Sequence, residues 1–262
     1  MYDLHCHLLP GLDDGPVEFN ETIDMIREAA EDGIEYIVCT PHIDSTRAWS
    51  SRHRLEKCFA ELQGHLQSHG LPVTLGMGGD ILYSPFVLSG LQNHLLPTLN
   101  SSRYFLLDFA RLDWPETIFQ DVRGWIKAGY IPIIVHPERA VWIEERWLDL
   151  AELASIGAWI QLTADSVTGL FGPRAAYWAE KLLSEGLVHV LASEAHGMDL
   201  RPPIMSEAVD KAKSWLGKKA ADHLVNERPA IVLADEILQP ELAPAALQGT
   251  VFKAASSVVS PS

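Results

Sequence analysis

The sequence predicts an α/β protein whose parallel strands form a closed or nearly closed barrel. Short apolar runs, several rich in β-branched residues, alternate with amphipathic stretches along the chain, as expected of parallel strands covered on both faces. A glycine also follows four of the helical stretches and precedes the next strand, where a helix C-cap belongs. These glycines are Gly33, Gly129, Gly157 and Gly186.

Seven segments have the composition of buried strands, and four more have the period of amphipathic helices. The repeated strand–helix units predict one barrel domain over residues 1–239, and residues 240–262, rich in Ala, Ser and Pro, are predicted to be a frayed tail. The predicted strands are Asp3–His7, Ile34–Thr40, Val73–Gly76, Tyr104–Phe109, Ile131–His136, Ala158–Thr163 and Val188–Ser193. The predicted helices are Glu21–Glu31, Pro115–Ala128, Glu145–Ser155 and Arg174–Ser184.

The composition excludes several classes of function. The chain has 35 acidic and 20 basic side chains, a formal charge of −15. This balance disfavours nucleic acid as a stable partner, because a phosphate backbone is bound mainly by Lys and Arg. No run approaches the roughly 20 apolar residues of a membrane-spanning helix, and the first residues do not have the pattern of a secretory signal. We therefore expect a cytoplasmic protein without membrane insertion.

The three cysteines, Cys6, Cys39 and Cys58, are expected to be reduced thiols. None is followed six residues later by arginine, the spacing of a cysteine-based phosphatase loop, so thiol catalysis of that kind is excluded. The positions in question hold Leu12, Ser45 and Gly64.

Side chains that can bind metal ions stand at the ends of most predicted strands. Because the carboxyl ends of barrel strands form one catalytic face, we expect these side chains to converge there. In His5-Cys6-His7, the two-residue period of a strand places both imidazoles on one face and Cys6 on the other. Imidazoles combined with carboxylates suit Mn, Fe or Zn. The candidates are His5, His7, His42, Asp80, Asp108, His136, Glu194 and His196.

Seven motifs run in order through residues 1–233 and together resemble one known family. They are Asp3–His7, Asp13–Pro16, Thr40–His42, Leu96–Asn100 with Ser102–Tyr104, His136–Arg139, Ala192–His196 and Arg201–Pro203. The chain resembles the polymerase-and-histidinol-phosphatase (PHP) superfamily, specifically the manganese-dependent tyrosine phosphatases of bacterial capsule and exopolysaccharide operons. Taken without the resemblance, Asp13-Asp14-Gly15 has the composition of a turn, and a role at a site is left open.

The resemblance implies a distorted (β/α)7 TIM-like barrel of the PHP type. It implies two or three divalent ions, most simply Mn with Fe or Zn as alternatives, held by the eight candidates above. Arg139 and Arg201 match arginines that the family uses around the phosphate, a role that suits a planar guanidinium. The reaction implied is hydrolysis of a phosphomonoester by a metal-bound hydroxide, with His42 or His196 able to protonate the leaving oxygen.

Three carboxylates depart from the family pattern. Asp80 and Asp108 stand where the family typically has Glu, and Glu194 stands where it has Asp. We expect the three changes in length to compensate one another, so that metal binding survives.

The implied substrate is phosphotyrosine on the tail of a bacterial tyrosine kinase that regulates capsule or exopolysaccharide synthesis. Two alternatives stay open. One is a phosphoesterase of small metabolites, such as a histidinol phosphatase. The other is a regulatory module that kept the fold while its altered carboxylates weakened catalysis.

Overall fold

The computed structural model describes residues 1–44, 48–109 and 114–248, with only the backbone for residues 48–51. Every strand pairing recorded within these residues is parallel. One sheet has the order β1-β2-β4 and a second the order β3-β5-β6-β7-β8-β9. The strands are β1 (Tyr2–Cys6), β2 (Tyr36–Cys39), β3 (His42–Asp44), β4 (Thr74–Met77), β5 (Asp80–Leu82), β6 (Tyr104–Asp108), β7 (Ile131–Val135), β8 (Trp159–Thr163) and β9 (Val190–Ala192).

Helices follow most of the strands, in the alternation that the sequence predicts. The cap glycines Gly33, Gly129, Gly157 and Gly186 all have positive φ, as expected at helix ends. The helices are α1 (Phe19–Glu31), α2 (Ala48–His69), α3 (Val87–Gln92), α4 (Ile118–Lys127), α5 (Ile143–Ser155), α6 (Ala164–Thr168), α7 (Gly172–Ser184), α8 (Ser206–Leu216), α9 (Lys218–Asp222) and α10 (Arg228–Leu233), with a π-helical turn at His223–Glu227.

All seven predicted strands are present, and the structure adds two that the sequence analysis missed. The added strands β3 and β5 continue the lines of β2 and β4 beyond short interruptions at Thr40-Pro41 and Gly78-Gly79. A proline has no N–H to donate to a ladder, and glycine weakens a strand interior, so both strands break there. A hydrogen bond nevertheless connects the two interrupted strands at this point: the Gly78 N–H donates to the Cys39 carbonyl at 2.9 Å.

The first strand, β1, also lies beside the segment that follows the last strand, β9. Cys6 and Ala195 form a parallel bridge, the His7 N–H donates to the Ala195 carbonyl at 2.9 Å, and the Glu194 N–H donates to the His5 carbonyl at 2.8 Å. The predicted α/β class with parallel strands is confirmed. The strands are short and the ladder is divided into separate sheets, so closure into a seven-unit barrel stays a prediction.

The apolar core lies on both sides of the strands. One buried cluster includes Met25, Phe105 and Leu162, and another includes Leu4 and Tyr104. No helix within the described residues is long and apolar enough to cross a lipid bilayer.

The predicted tail is described only as far as residue 248. Short 3₁₀ turns form at Pro240–Leu242 and Ala245–Leu247, where Ala243 and Leu247 are buried against the domain. Residues 249–262 lie outside the described residues. The domain boundary after residue 239 stays a prediction.

A buried histidine before β9 makes stability depend on pH. The His189 side chain stacks on Trp159 with ring centroids 5.0 Å apart, and its Nδ1 accepts the Ile160 N–H at 3.1 Å. Burial, and then the charge of Arg228, lowers the pKa of His189 well below its usual value. Below about pH 6.5 this histidine is protonated in the unfolded chain but stays neutral in the folded chain. The free energy of unfolding therefore falls as the pH falls through that value.

We expect His189→Asn to lose less stability than the wild type between pH 7 and pH 5. The group can cost the wild type up to about 1.4 kcal/mol for each pH unit below its unfolded pKa. Urea unfolding at several pH values measures the slope. His94→Asn is the control, because His94 is exposed and its φ of 55° is one that asparagine accepts. Equal slopes for His189→Asn and the wild type would contradict the expectation.

Candidate metal centre

The two histidines at the end of β1 face each other, as the period of a strand predicts. Both are fully buried, and their Nε2 atoms lie 3.1 Å apart. His5 Nδ1 lies 2.9 Å from Gln161 Oε1, and His7 Nδ1 lies 2.6 Å from Asp13 Oδ2. These oxygens accept a proton held on Nδ1, so the lone pair of each ring is left on Nε2. Both Nε2 lone pairs are thus available to hold a metal ion.

Asp80 lies beside this histidine pair at the start of β5. Its Oδ2 is 2.9 Å from His42 Nδ1 and 3.8 Å from His5 Nε2. The side chain is buried, and its Oδ1 has no hydrogen-bond partner among the described residues. A buried carboxylate oxygen without a partner is costly unless a cation binds it. Burial alone would raise the pKa of Asp80, but the hydrogen bond from His42 and the nearby histidines lower it below the usual range.

Three overlapping groups of side chains among the described residues offer ligand atoms within 4.8 Å of one another. His7, His42 and Asp80 each belong to two of the groups, so the groups form one continuous cluster. The groups are His5, His7 and Asp80; His42, Asp80 and Asp108; and His7, Asp14, His42 and His196. Nitrogen and carboxylate oxygen donors in this mixture fit Mn, Fe or Zn. The residues present therefore fit a cluster of divalent ions.

The turn at Asp13-Asp14-Gly15 belongs to the site, which the residues alone had left open. Asp14 Oδ1 lies 3.2 Å from His196 Nε2 and 3.4 Å from His42 Nε2. Asp13 accepts the N–H groups of Gly15 and His42, each at 3.0 Å, besides facing His7. Burial would raise the pKa of Asp13, but the hydrogen bond and charge of His7 lower it to about 2. Asp13 thus orients His7, and Asp14 belongs to one of the ligand groups.

Gly15 allows this turn to close. A Cβ at position 15 would lie 2.6 Å from the carbonyl oxygen of His7 and 3.1 Å from Asp13 Oδ1. We expect Gly15→Ala to destabilise the fold by about 1–3 kcal/mol through overpacking. Because the displaced turn also orients His7, manganese affinity should fall roughly 10- to 100-fold. Thermal unfolding and a manganese titration measure the two effects.

The matched control for Gly15→Ala is Gly64→Ala within α2. A Cβ at Gly64 meets nothing within 4 Å, and alanine is favoured over glycine in a helix by about 1 kcal/mol. That variant should be as stable as the wild type or more so, with unchanged manganese affinity. Equal behaviour of the two variants would contradict the role given to the turn.

A second set of polar residues lies beside the cluster, around Glu194. Both His136 and Glu194 have positive φ, 37° and 53°, an uncommon backbone conformation that concentrates at functional sites. His136 Nε2 lies 4.0 Å from Glu194 Oε1, and its ring centroid is 5.9 Å from that of His5. Arg139 and Arg201 both donate to the Glu194 carboxylate. All eight candidate ligands and both arginines thus lie in one region.

Buried acids hold the loops that carry these groups. Asp3 accepts the Ser193 hydroxyl at 2.5 Å and the Ser193 N–H at 3.1 Å, and burial raises its pKa to about 6. Glu138 accepts the Thr163 N–H at 3.0 Å, and burial raises its pKa to about 7. Asp3 thereby fixes the start of the loop that carries Glu194. Glu138, which directly precedes Arg139, is in the same way connected to the end of β8.

The structure also brings in residues that the sequence analysis did not select. Gln161 orients His5 from the middle of β8, and the Thr163 hydroxyl donates to Glu194 Oε2 at 2.7 Å. A glutamine among the apolar residues Trp159, Ile160 and Leu162 is the feature of the sequence that could have indicated it. Of the selected residues, His136 and Glu194 belong to none of the three ligand groups. The role of all eight candidates as metal ligands stays a prediction.

Histidines and carboxylates meet at the carboxyl ends of parallel strands, next to two arginines suited to phosphate. This is the arrangement of a metal-dependent phosphatase built on an α/β fold.

Comparison with known proteins gives the family. Residues 1–234 match the family described as "Capsular polysaccharide synthesis, CpsB/CapC", and the chain belongs to this family. It is 30% identical to the tyrosine-protein phosphatase YwqE of Bacillus subtilis, over 91% of this chain and 93% of the relative. It is 27% identical to the tyrosine-protein phosphatase CpsB of Streptococcus pneumoniae, over 91% of this chain and all of the relative.

A solved structure agrees with these relatives. Crystal structures of YwqE and CpsB, described as unique metal-dependent tyrosine phosphatases, include a match with a TM-score of 0.85 and 28% identity. The match covers 91% of this chain and 96% of the solved chain. The resemblance inferred from the motifs is confirmed, as is the prediction that the chain is a metal-dependent phosphatase enzyme.

Proposed function

We propose that this phosphatase uses manganese to hydrolyse phosphotyrosine on the tail of a bacterial tyrosine kinase that regulates capsule or exopolysaccharide synthesis. The observation that carries the proposal is the continuous cluster of ligand atoms beside Arg139 and Arg201. The names of the relatives support the substrate class, and the family description supports the pathway. The absence of a membrane-spanning helix among the described residues is compatible with action in the cytoplasm.

We further propose that the strands close into the distorted seven-unit barrel. In this arrangement β2 with β3, and β4 with β5, each count as one interrupted strand. The hydrogen bonds between the end of β9 and β1 support closure, because they join the last strand to the first. The TM-score of 0.85 against the solved tyrosine phosphatases also supports it.

The proposed centre would hold two or three ions, with Asp14 added to seven of the predicted ligands. These seven are His5, His7, His42, Asp80, Asp108, His136 and His196. Asp80 would help to hold the ions in both of the ligand groups to which it belongs. Asp80 and Asp108, although one methylene shorter than the glutamates of the resemblance, both offer an oxygen to such a group. This supports the expectation that metal binding survives the altered carboxylate lengths.

The chain's own residues then have separate tasks in the reaction. Bound divalent ions would supply a nucleophile from water near neutral pH and offset charge on the phosphoryl group. Arg139 and Arg201 would hold the phosphoryl oxygens and orient the phosphorus toward the cluster. Protonating the tyrosyl oxygen would fall to His42 or His196 in place of holding an ion. His42 is the better placed of the two, because its side chain is 45% exposed while that of His196 is 5% exposed.

Steady-state assays with manganese test the proposed function. We expect turnover of a phosphotyrosine peptide that is abolished by a chelator and restored by manganese, with much lower kcat/KM for histidinol phosphate. A preference for histidinol phosphate would favour the metabolite phosphoesterase instead. No hydrolysis of any aryl phosphate by the manganese-loaded protein would leave the regulatory module as the explanation.

A further inference from the structure

Both oxygens of the Glu194 carboxylate are already bound by protein groups. Oε1 accepts a hydrogen bond from Arg201 Nη1 at 2.8 Å. Oε2 accepts one from Arg139 Nη1 and another from the Thr163 hydroxyl at 2.7 Å. The donors come from three separate loops or strand ends, so the carboxylate connects them.

The position of Glu194 relative to the metal cluster differs from that of Asp80. Asp80 has a buried oxygen without a hydrogen-bond partner and belongs to two ligand groups. Glu194 belongs to none of the groups found among the described residues, and the histidine that pairs with its carboxylate, His136, has its Nε2 4.0 Å from Oε1. The two buried acids therefore differ in their hydrogen-bond partners. Asp80 faces imidazoles only, whereas Glu194 accepts hydrogen bonds from two guanidinium groups, with His136 further away.

The electrostatics of the arginine pair require an acid here. Arg139 lies 4.1 Å and Arg201 6.0 Å from the same Phe171 ring, so two cations are held side by side. Their side chains are only 7% and 16% exposed, and that of Glu194 is 4% exposed. Like charges at this depth repel one another unless an opposite charge lies between them. Glu194 supplies that charge.

The contacts leave most of each guanidinium free. Arg139 and Arg201 each use Nη1 for Glu194, and no other side-chain hydrogen bond of either is recorded within the described residues. A guanidinium has five N–H donors, so several are left for phosphoryl oxygens. Fixing one nitrogen orients the rest of the planar group, which lowers the entropy lost when phosphate binds.

We infer that Glu194 is a positioning residue that holds Arg139 and Arg201 for the phosphoryl group, and is not a metal ligand in this chain. The inference rests on the proposed function. The length of the side chain fits this role, since glutamate reaches one methylene further than the aspartate of the resemblance, toward the arginines and Thr163. In this chain the carboxylate at position 194 then binds the arginines instead of an ion, and the remaining ligands hold the ions.

Metal analysis of Glu194→Gln, compared with Asp80→Asn, tests the inference without measuring turnover. Glu194→Gln should bind as many manganese ions per chain as the wild type, whereas Asp80→Asn should bind fewer. Calorimetric titration of the manganese-loaded proteins with inorganic phosphate should show about 10- to 100-fold weaker binding in Glu194→Gln, as expected when charge-assisted hydrogen bonds are lost. Loss of an ion from Glu194→Gln would overturn the inference, and so would unchanged or tighter phosphate binding.

Glu194→Asp provides a second variant that keeps the charge, in case glutamine at this buried position prevents folding. Its carboxylate would be drawn back by about 1.5 Å, one carbon–carbon bond, away from the arginines. We expect full manganese content and weakened phosphate binding, with KM for the aryl phosphate raised more than kcat is lowered. Phosphate affinity equal to that of the wild type would overturn the positioning role. Failure of the proposed function itself would appear in the wild type, as absent manganese binding or absent hydrolysis.

Discussion

Asp80→Asn is expected to lower manganese-dependent hydrolysis by roughly 10³-fold, the largest effect of any single substitution in this chain. Asp80 is buried, faces His5 and His42, and belongs to two of the ligand groups. Asparagine keeps the shape but removes the negative charge that attracts neighbouring cations. If the ions contribute about 4 kcal/mol of transition-state stabilisation, losing them costs about three powers of ten. Steady-state kinetics at saturating manganese measure the loss.

A surface acid is the control for Asp80→Asn. Asp149 lies in α5 and pairs with Arg146 at 3.1 Å, near the surface. Asp149→Asn removes the same charge without touching the site and should change kcat/KM by less than about twofold. If Asp80→Asn kept wild-type activity, the cluster could not be the catalytic centre.

Arg139→Leu is expected to lower kcat/KM for an aryl phosphate by about 10²- to 10³-fold, the range seen when one donor to a developing anionic charge is removed. Arg139 is buried, is bound to Glu194 and lies over Phe171. Leucine preserves the apolar contact with the ring and removes every donor to phosphate. Manganese content should be unchanged, because no arginine nitrogen is a metal ligand.

Arg146→Leu is the corresponding control, since Arg146 is half exposed and pairs only with Asp149 among the described residues. Its kinetics should match the wild type. Equal kinetics of Arg139→Leu and Arg146→Leu would contradict the phosphate-binding role, and loss of manganese from Arg139→Leu would show that the substitution had disturbed the metal centre instead.

The sequence was sufficient to predict the strand–helix alternation, because buried parallel strands have a strong apolar signal. All seven predicted strands are found, each within a few residues of its predicted ends. The three-residue strands β3 and β5 were missed since neither has an apolar run of its own. Their existence depends on pairing with neighbouring strands across Pro41 and Gly79, which is a tertiary effect.

Most residues of the candidate site could also be predicted from the sequence. Residue type and position at strand ends were enough to select the imidazoles and carboxylates that the structure brings together. From the sequence alone, an acid that faces imidazoles, such as Asp80, cannot be distinguished from one that accepts hydrogen bonds from guanidinium groups, such as Glu194. That distinction depends on side-chain direction in the folded chain. Likewise, Asp14 was selected only as part of a turn, because its partners His42 and His196 are distant along the chain.

We propose that side chains far apart in the sequence meet around a shared set of cations. Anomalous diffraction from crystals of the manganese-loaded protein, recorded at the manganese absorption edge, tests it most directly. We predict at least two peaks. Each should lie within about 2.5 Å of ligand atoms from the three overlapping groups, which His7, His42 and Asp80 connect to one another. No peak there, or manganese bound only at surface carboxylates, would contradict the claim.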